Sequence, residues 1–133
     1  MKKSTNIVNL TPHQVAIVTG ATFDASIRKH RGGIVVKTIP SSGMVSAISS
    51  KQEEMDPIVT DDGVFIPTCS ALKWVWVDPL PEFPEGSMYI VSAMYVTACR
   101  ELGLPTHRLL TVGPTVVGDD GHSIVGCVSL VRN

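Results

Sequence analysis

Apolar residues in this chain come in short runs cut by proline, glycine or paired aspartates, a pattern that predicts many short strands rather than a helical bundle. Residues 7–10 and 14–19 read as two strands with a bend at Thr11-Pro12, because proline fixes φ and removes a ladder donor. Residues 20–33 mix small residues with Arg28, Lys29, His30 and Arg31 and end in a glycine pair, which predicts a loop or ribbon tip. Residues 34–39 form a strand, Pro40-Ser41-Ser42-Gly43 a turn, and 44–48 the returning arm of a hairpin; 49–56 is polar and predicts a mobile segment. Asp61-Asp62-Gly63 and Asp119-Asp120-Gly121 each sit between apolar flanks, where Asp-Gly suits the positive φ of a tight hairpin turn. Residues 72–77 place Trp74 and Trp76 on one face and valines on the other, so a central strand is expected. Residues 109–112 and 115–117 are extended around Gly113-Pro114, and 123–131 closes the chain as one strand.

One stretch breaks the pattern. Residues 88–91 carry β-branched and aromatic side chains, whereas 93–102 are better helix formers, preceded by Ser92 as an N-cap and followed by Gly103 and Pro105. A strand running into a helix is predicted, and apolar residues on nearly every side of 93–99 predict that the helix is covered. A proline-rich connector, 78–86, leads into it. The fold class is therefore mainly β (α+β), a small barrel or sandwich of short strands with one buried helix near 92–102, in a single compact domain, 1–133.

Composition narrows the function. A hydrophobic fraction of 44% supports a core without disulfides, and a formal net charge of -1 supplies no field for general nucleic-acid or membrane binding. Cys69, Cys99 and Cys127 show no CxxC spacing and read as reduced, buried thiols, which points to the cytoplasm. The start of the chain lacks the apolar core of a secretion signal, and no apolar run reaches the roughly 20 residues of a membrane span. The acidic pairs are explained by their turns, so neither metal nor cofactor is expected.

No nucleophile elbow, phosphate-binding loop, dinucleotide fingerprint or HExxH pair occurs, which tilts the reading away from catalysis. The candidate ligand-binding residues are Arg100, His107 and Arg108 around the helix end, Ser92 at its start, His13, and Trp74 and Trp76 as a stacking face. Arginine forks with an imidazole suit phosphate, helix-start amides suit an anion, and indoles suit a planar base. Each residue also has a plain structural role: Ser92 as a cap, Arg100 as a complement to the helix dipole, the tryptophans as core or subunit interface.

At Asn9-Leu10-Thr11-Pro12-His13, Pro40-Ser41-Ser42-Gly43, Tyr89-Ile90-Val91-Ser92 and Gly126-Cys127, the chain resembles a group of small, largely uncharacterised proteins of bacteria and their phages. The likeness spans most of the chain and departs at Ser41-Ser42, where a simpler Pro-Ser-Gly turn is expected. The resemblance implies a compact domain of phage or mobile-element type acting in the host cytoplasm. By analogy with phage sponges it implies sequestration of a nucleotide-derived immune signal by a non-catalytic protein, with a homo-oligomer expected. The competing expectations are a structural or protein-interaction homo-oligomer and a nucleotide-processing enzyme using His13 or His107.

Overall fold

The structure, a computed structural model, describes residues 5–81 and 86–133. Part of the proline-rich connector, residues 82–85, and the first four residues of the chain lie outside the described residues. The strands are β1 (Ile7–Asn9), β2 (Val15–Thr19), β3 (Thr22–Asp24), β4 (Lys29–Arg31), β5 (Ile34–Ile39), β6 (Ile48–Lys51), β7 (Glu54–Val59), β8 (Phe65–Cys69), β9 (Lys73–Val77) and β10 (Met88–Ile90). Helix α1 (Ala93–Glu101) follows, then β11 (Leu109–Val112), β12 (Thr115–Val117), β13 (Ile124–Cys127) and β14 (Leu130–Arg132). The protein is mainly β with one short helix, and none of its sheets closes into a barrel.

The centre is a four-stranded sheet in the order β1-β10-β11-β14, in which β1, β10 and β11 are parallel and β14 is antiparallel. Parallel neighbours need a crossover, and α1 supplies the one between β10 and β11. Side chains alternate across this sheet as a pleat requires. Tyr89, Val91 and Leu109 join Val8, Leu10, Tyr95, Val96, Ala98 and Cys99 on the helix side. Ile90 and Leu110 face the other way, onto Val15, Ile39 and Cys127 of the second sheet. Burial on both faces explains the unbroken apolar run at 88–91.

The second sheet has the order β3-β4-β12-β13-β2-β5. Its β2 runs on towards β3 and its β4 towards β5, so these four segments form one bent antiparallel ribbon, paired from Thr19↔Ile34 to Asp24↔Lys29. Gly33 makes the bend possible: its φ is +85°, and an added Cβ would lie 2.5 Å from the Thr19 carbonyl oxygen. Residues 20–33, expected as a loop or ribbon tip, thus contain the short pair β3–β4.

Three expectations are corrected. The segment 44–48 does not fold back on β5: β5 pairs with β2, and β6 pairs with β9 in a separate two-stranded sheet. The chain is diverted because the Ser42 amide and hydroxyl both donate to the Asn9 carbonyl, at 3.0 and 2.8 Å, tying the turn to β1. Residues 49–56, expected without structure, supply most of β6 and the start of β7. The strand 72–77 is not central either, since β9 has β6 as its one strand partner among the described residues.

The closing stretch 123–131 is two strands, β13 and β14, lying in different sheets, and β11–β12 changes sheets beside it. At this corner the Gly113 amide donates to the Ser129 carbonyl and the Val128 amide to the Pro114 carbonyl, both at 2.9 Å. Helix α1 sits where predicted but is covered on one face: Tyr95, Val96, Ala98 and Cys99 are buried, while Met94 and Thr97 are exposed. Its apolar exposed positions are small or flexible, which the sequence pattern alone does not separate from core. Both aspartate-glycine hairpins form as expected, β7–β8 and β12–β13.

Candidate functional site

The carboxyl ends of β1, β10 and β11 open on one side of the central sheet, next to the start of α1. In sheets with parallel strands this is where ligands gather, because loops diverge there and helix amides point outward. A groove of about 470 Å³ occupies the position. Its floor is apolar, made by Val91, Val112, Val125 and Cys127, and its polar side chains are Thr11, His13, Gln14, Ser92 and Thr111. Among the described residues no aspartate, glutamate, lysine or arginine lines it.

The wall formed by residues 9–13 is held rigidly. Asn9 is 1% exposed, and its side-chain hydrogen bonds go to the bend after β1 and to β5. Its Nδ2 donates to the carbonyls of His13 (2.8 Å) and Ile39 (3.1 Å); its Oδ1 accepts from the Thr11 amide (3.0 Å) and hydroxyl (2.6 Å). Ser41 donates from Oγ to the Thr11 carbonyl at 2.6 Å, and the Leu10 amide donates to Ile90 at 2.9 Å. Thus residues 9–13, 40–43, 89–92 and 126–127 meet at this groove or brace its wall.

The opposite wall is the helix start. Ser92 has extended backbone (φ −69°, ψ 155°), and its Oγ accepts from the Tyr95 amide at 3.1 Å, the expected N-cap. The first turn of α1 holds no acidic residue, so the positive end of the helix dipole is left uncompensated beside the groove. At its far end the helix closes in a Schellman motif. Gly103, at φ +73°, donates to Arg100 at 3.2 Å, and Leu104 donates to Cys99 at 2.8 Å.

Of the residues singled out from sequence, His13 and Ser92 line this groove. Arg100 and His107 are exposed, and neither lines this groove or the second one described below. Arg108 is engaged inside the fold: its Nε donates to the Ser87 carbonyl at 3.0 Å, its Nη2 to the Tyr89 hydroxyl at 3.2 Å, and its guanidinium lies 5.0 Å from the Tyr89 ring centre. It braces the start of β10, with the Tyr89 hydroxyl in turn donating to Pro81 at 3.0 Å.

The tryptophans do not form a common face. Ser49 pairs with Trp76 and Ser50 with Trp74, which leaves Val75 as the extra residue of a β-bulge and turns the two indoles apart. Trp74 is half-buried against the helix-side core. Trp76 is exposed, donates from Nε1 to Asp78 at 3.3 Å, and borders a second groove of about 390 Å³ with Tyr95, Cys99 and Leu104. Among the described residues that groove includes Asp78 and no cationic side chain, a poor setting for phosphate.

Three groups at the grooves, Tyr95, Cys99 and Cys127, are shifted towards their neutral forms by burial. Burial raises the Tyr95 hydroxyl to about 12, and the hydroxyl donates to the Asp78 carbonyl at 2.5 Å. Burial likewise holds the Cys99 and Cys127 thiols above their ordinary value, and Cys127 Sγ donates to the Ala16 carbonyl at 3.6 Å. A thiol so placed is a poor nucleophile. Asp120 is held below the usual carboxylate range by the Ser123 hydroxyl and the His122 and Ser123 amides, which accounts for that acidic pair as a turn device. Among the described residues no group of three or more His, Cys, Asp or Glu is placed to hold a metal ion, and no helix is long and apolar enough to cross a membrane.

No family model matches the chain, and no curated protein or solved structure matches it.

Sequence reasoning missed Gln14, Thr111 and the 124–127 wall of the groove. These positions are far apart in the chain and carry no ligand-binding signature; only the sheet topology brings them together. The signal that was present is Asn9, a polar residue inside an apolar run that ends in a proline bend.

Proposed function

We propose that the chain is a non-catalytic binding protein that takes a small anionic ligand of nucleotide type in the groove at the start of α1. One observation carries the reading: a groove of about 470 Å³ that joins an apolar floor to hydroxyls and an uncompensated helix start, with no acidic side chain among the described residues of its lining. Small-molecule sites have this size and this mix of apolar wall with few polar groups. The floor suits a planar ring, and the helix start with Ser92 and Thr11 suits a phosphate. For a phage-type protein, such binding would sequester a nucleotide-derived immune signal; that setting rests on the resemblance.

Thermal unfolding with a panel of linear and cyclic nucleotides tests it. A ligand present at about 100 times its Kd stabilises by about 2.7 kcal/mol. Ser92→Asp separates ligand binding from folding, because aspartate caps a helix as well as serine but places a charge where the anion sits. The expected result is a shift in the wild type, none in Ser92→Asp, and the nucleotide recovered unaltered. A shift abolished by Arg108→Ala at unchanged stability, with Ser92→Asp still responsive, would move the site to the other end of the helix. Absence of any shift across the panel at millimolar nucleotide refutes the proposal, and chemically altered nucleotide makes the protein an enzyme.

A second reading, a structural or protein-interaction homo-oligomer, is favoured by the apolar side chains exposed along β5, β7 and β8.

A further inference from the structure

The chain exposes 9230 Å² at a mass of 14.2 kDa. A compact monomer of that mass exposes about 6,800 Å². The excess, about 2,400 Å², exceeds the roughly 800 Å² that each partner buries in a standard interface and falls in the range of obligate assemblies. Two surfaces carry neighbouring exposed apolar side chains.

The first is the hairpin β7–β8. Met55, Ile58, Val59, Val64, Phe65 and Ile66 are each between 46% and 68% exposed, and no residue of either strand is buried. A two-stranded hairpin with apolar side chains and no third layer is marginal alone. The second is the outer edge of β5, where Ile34, Val35 and Val36 are 72%, 50% and 60% exposed and, among the described residues, no strand pairs beyond.

The two surfaces have opposite charge. Between Lys51 and Cys69 the chain carries Glu53, Glu54, Asp56, Asp61 and Asp62 against one lysine. Between Arg28 and Lys37 it carries Arg28, Lys29, Arg31 and Lys37 with no acid. Arg31 is answered by Asp24 at 3.1 Å, and Lys29 lies near Asp120. Arg28 and Lys37 have no acidic partner among the described residues, and neither do Glu54, Asp56 and Asp61.

We infer that the hairpin 54–69 is an assembly arm whose apolar face packs on the β5 edge of a second copy of the chain, around Ile34–Lys37. The contact is made by side chains rather than by strand addition. Pro57 and Pro67 remove ladder donors from both arms of the hairpin, and Val36 is the extra residue of a bulge in β5. Arm and acceptor are different surfaces, so the interface is head-to-tail and builds a ring or an open chain of copies. The inference is independent of the groove.

Sedimentation of the full chain tests it, using Ile58→Glu on the arm and Val35→Glu on the acceptor. Both sites are solvent-exposed, and an unchanged circular-dichroism melt shows that each variant folds. The wild type should assemble, and each variant should lose affinity by at least about 100-fold, the effect of charging a central apolar contact. An equimolar mixture of the two variants should give a one-to-one heterodimer, because one competent arm and one competent acceptor remain. A wild type still monomeric at about 100 μM overturns the inference, since standard interfaces are saturated there. So does a Val35→Glu that assembles normally, which would mean that the arm pairs with itself or with another surface.

Discussion

At the scale of single residues, Asn9 organises the groove. It lies within an apolar strand, yet each of its four side-chain hydrogen bonds ends on the bend that follows or on β5. A buried amide with every position satisfied fixes one conformation, and its loss leaves several groups unpaired at once. Asn9→Ala should therefore cost about 2–4 kcal/mol, a large effect for one polar residue. Urea unfolding with a lowered midpoint and unchanged slope is the expected result; a change below about 0.5 kcal/mol would show that the bend holds without it. The polar residues legible in sequence divide along the same physical line. Ser92 and His13 were legible because capping and proline bends are local, and both line the groove. Arg108 looked like a ligand residue because sequence does not reveal that the Ser87 carbonyl and the Tyr89 ring lie within its reach.

At the scale of elements, what could be read was what short-range chemistry decides. Both aspartate-glycine hairpins, the bend at Thr11-Pro12, the cap at Ser92 and the glycine stop at Gly103 are set by residues within a few positions of one another. The segments that escaped prediction are those whose partners are distant. Residues 44–48 leave β5 because Ser41 and Ser42 bond back to residues 9 and 11, and residues 123–131 split because two sheets share one ribbon. The parallel junction of β13 with β2 is the narrowest part of that arrangement, pairing at Cys127↔Ile17. Gly126 permits it: an added Cβ would lie 2.7 Å from both the Ala16 carbonyl oxygen and a Val18 methyl carbon. Gly126→Ala should push β13 off β2 and widen the groove, costing about 1–3 kcal/mol as overpacking against backbone does. Calorimetry should show the lowered Tm, and ligand binding should weaken with it. A neutral substitution would mean that the junction has room to shift.

At the scale of the whole molecule, the fold is a layered body with an arm. Helix α1 and the β6–β9 pair cover one face of the central sheet, the bent ribbon covers the other, and β7–β8 stands outside both cores. Stability should follow this division, because amides exchange through the smallest opening that exposes them. The amides of Leu10 and Val91, bonded to Ile90 and Leu110 at 2.9 Å within the central sheet, should exchange only through global unfolding. The β7–β8 amides should exchange at least about a thousandfold faster in a dilute, dissociated sample, since an isolated hairpin is marginal. Raising the concentration should slow exchange in Glu54–Val59 and Phe65–Cys69 while leaving Leu10 and Val91 unchanged, if burial of the arm on a second copy is what holds it. Hydrogen exchange read by mass spectrometry at two concentrations makes the comparison in one experiment. Hairpin amides as slow as those of the central sheet in the dilute sample would show that the arm is stable on its own body, and concentration-independent exchange would remove assembly as its support.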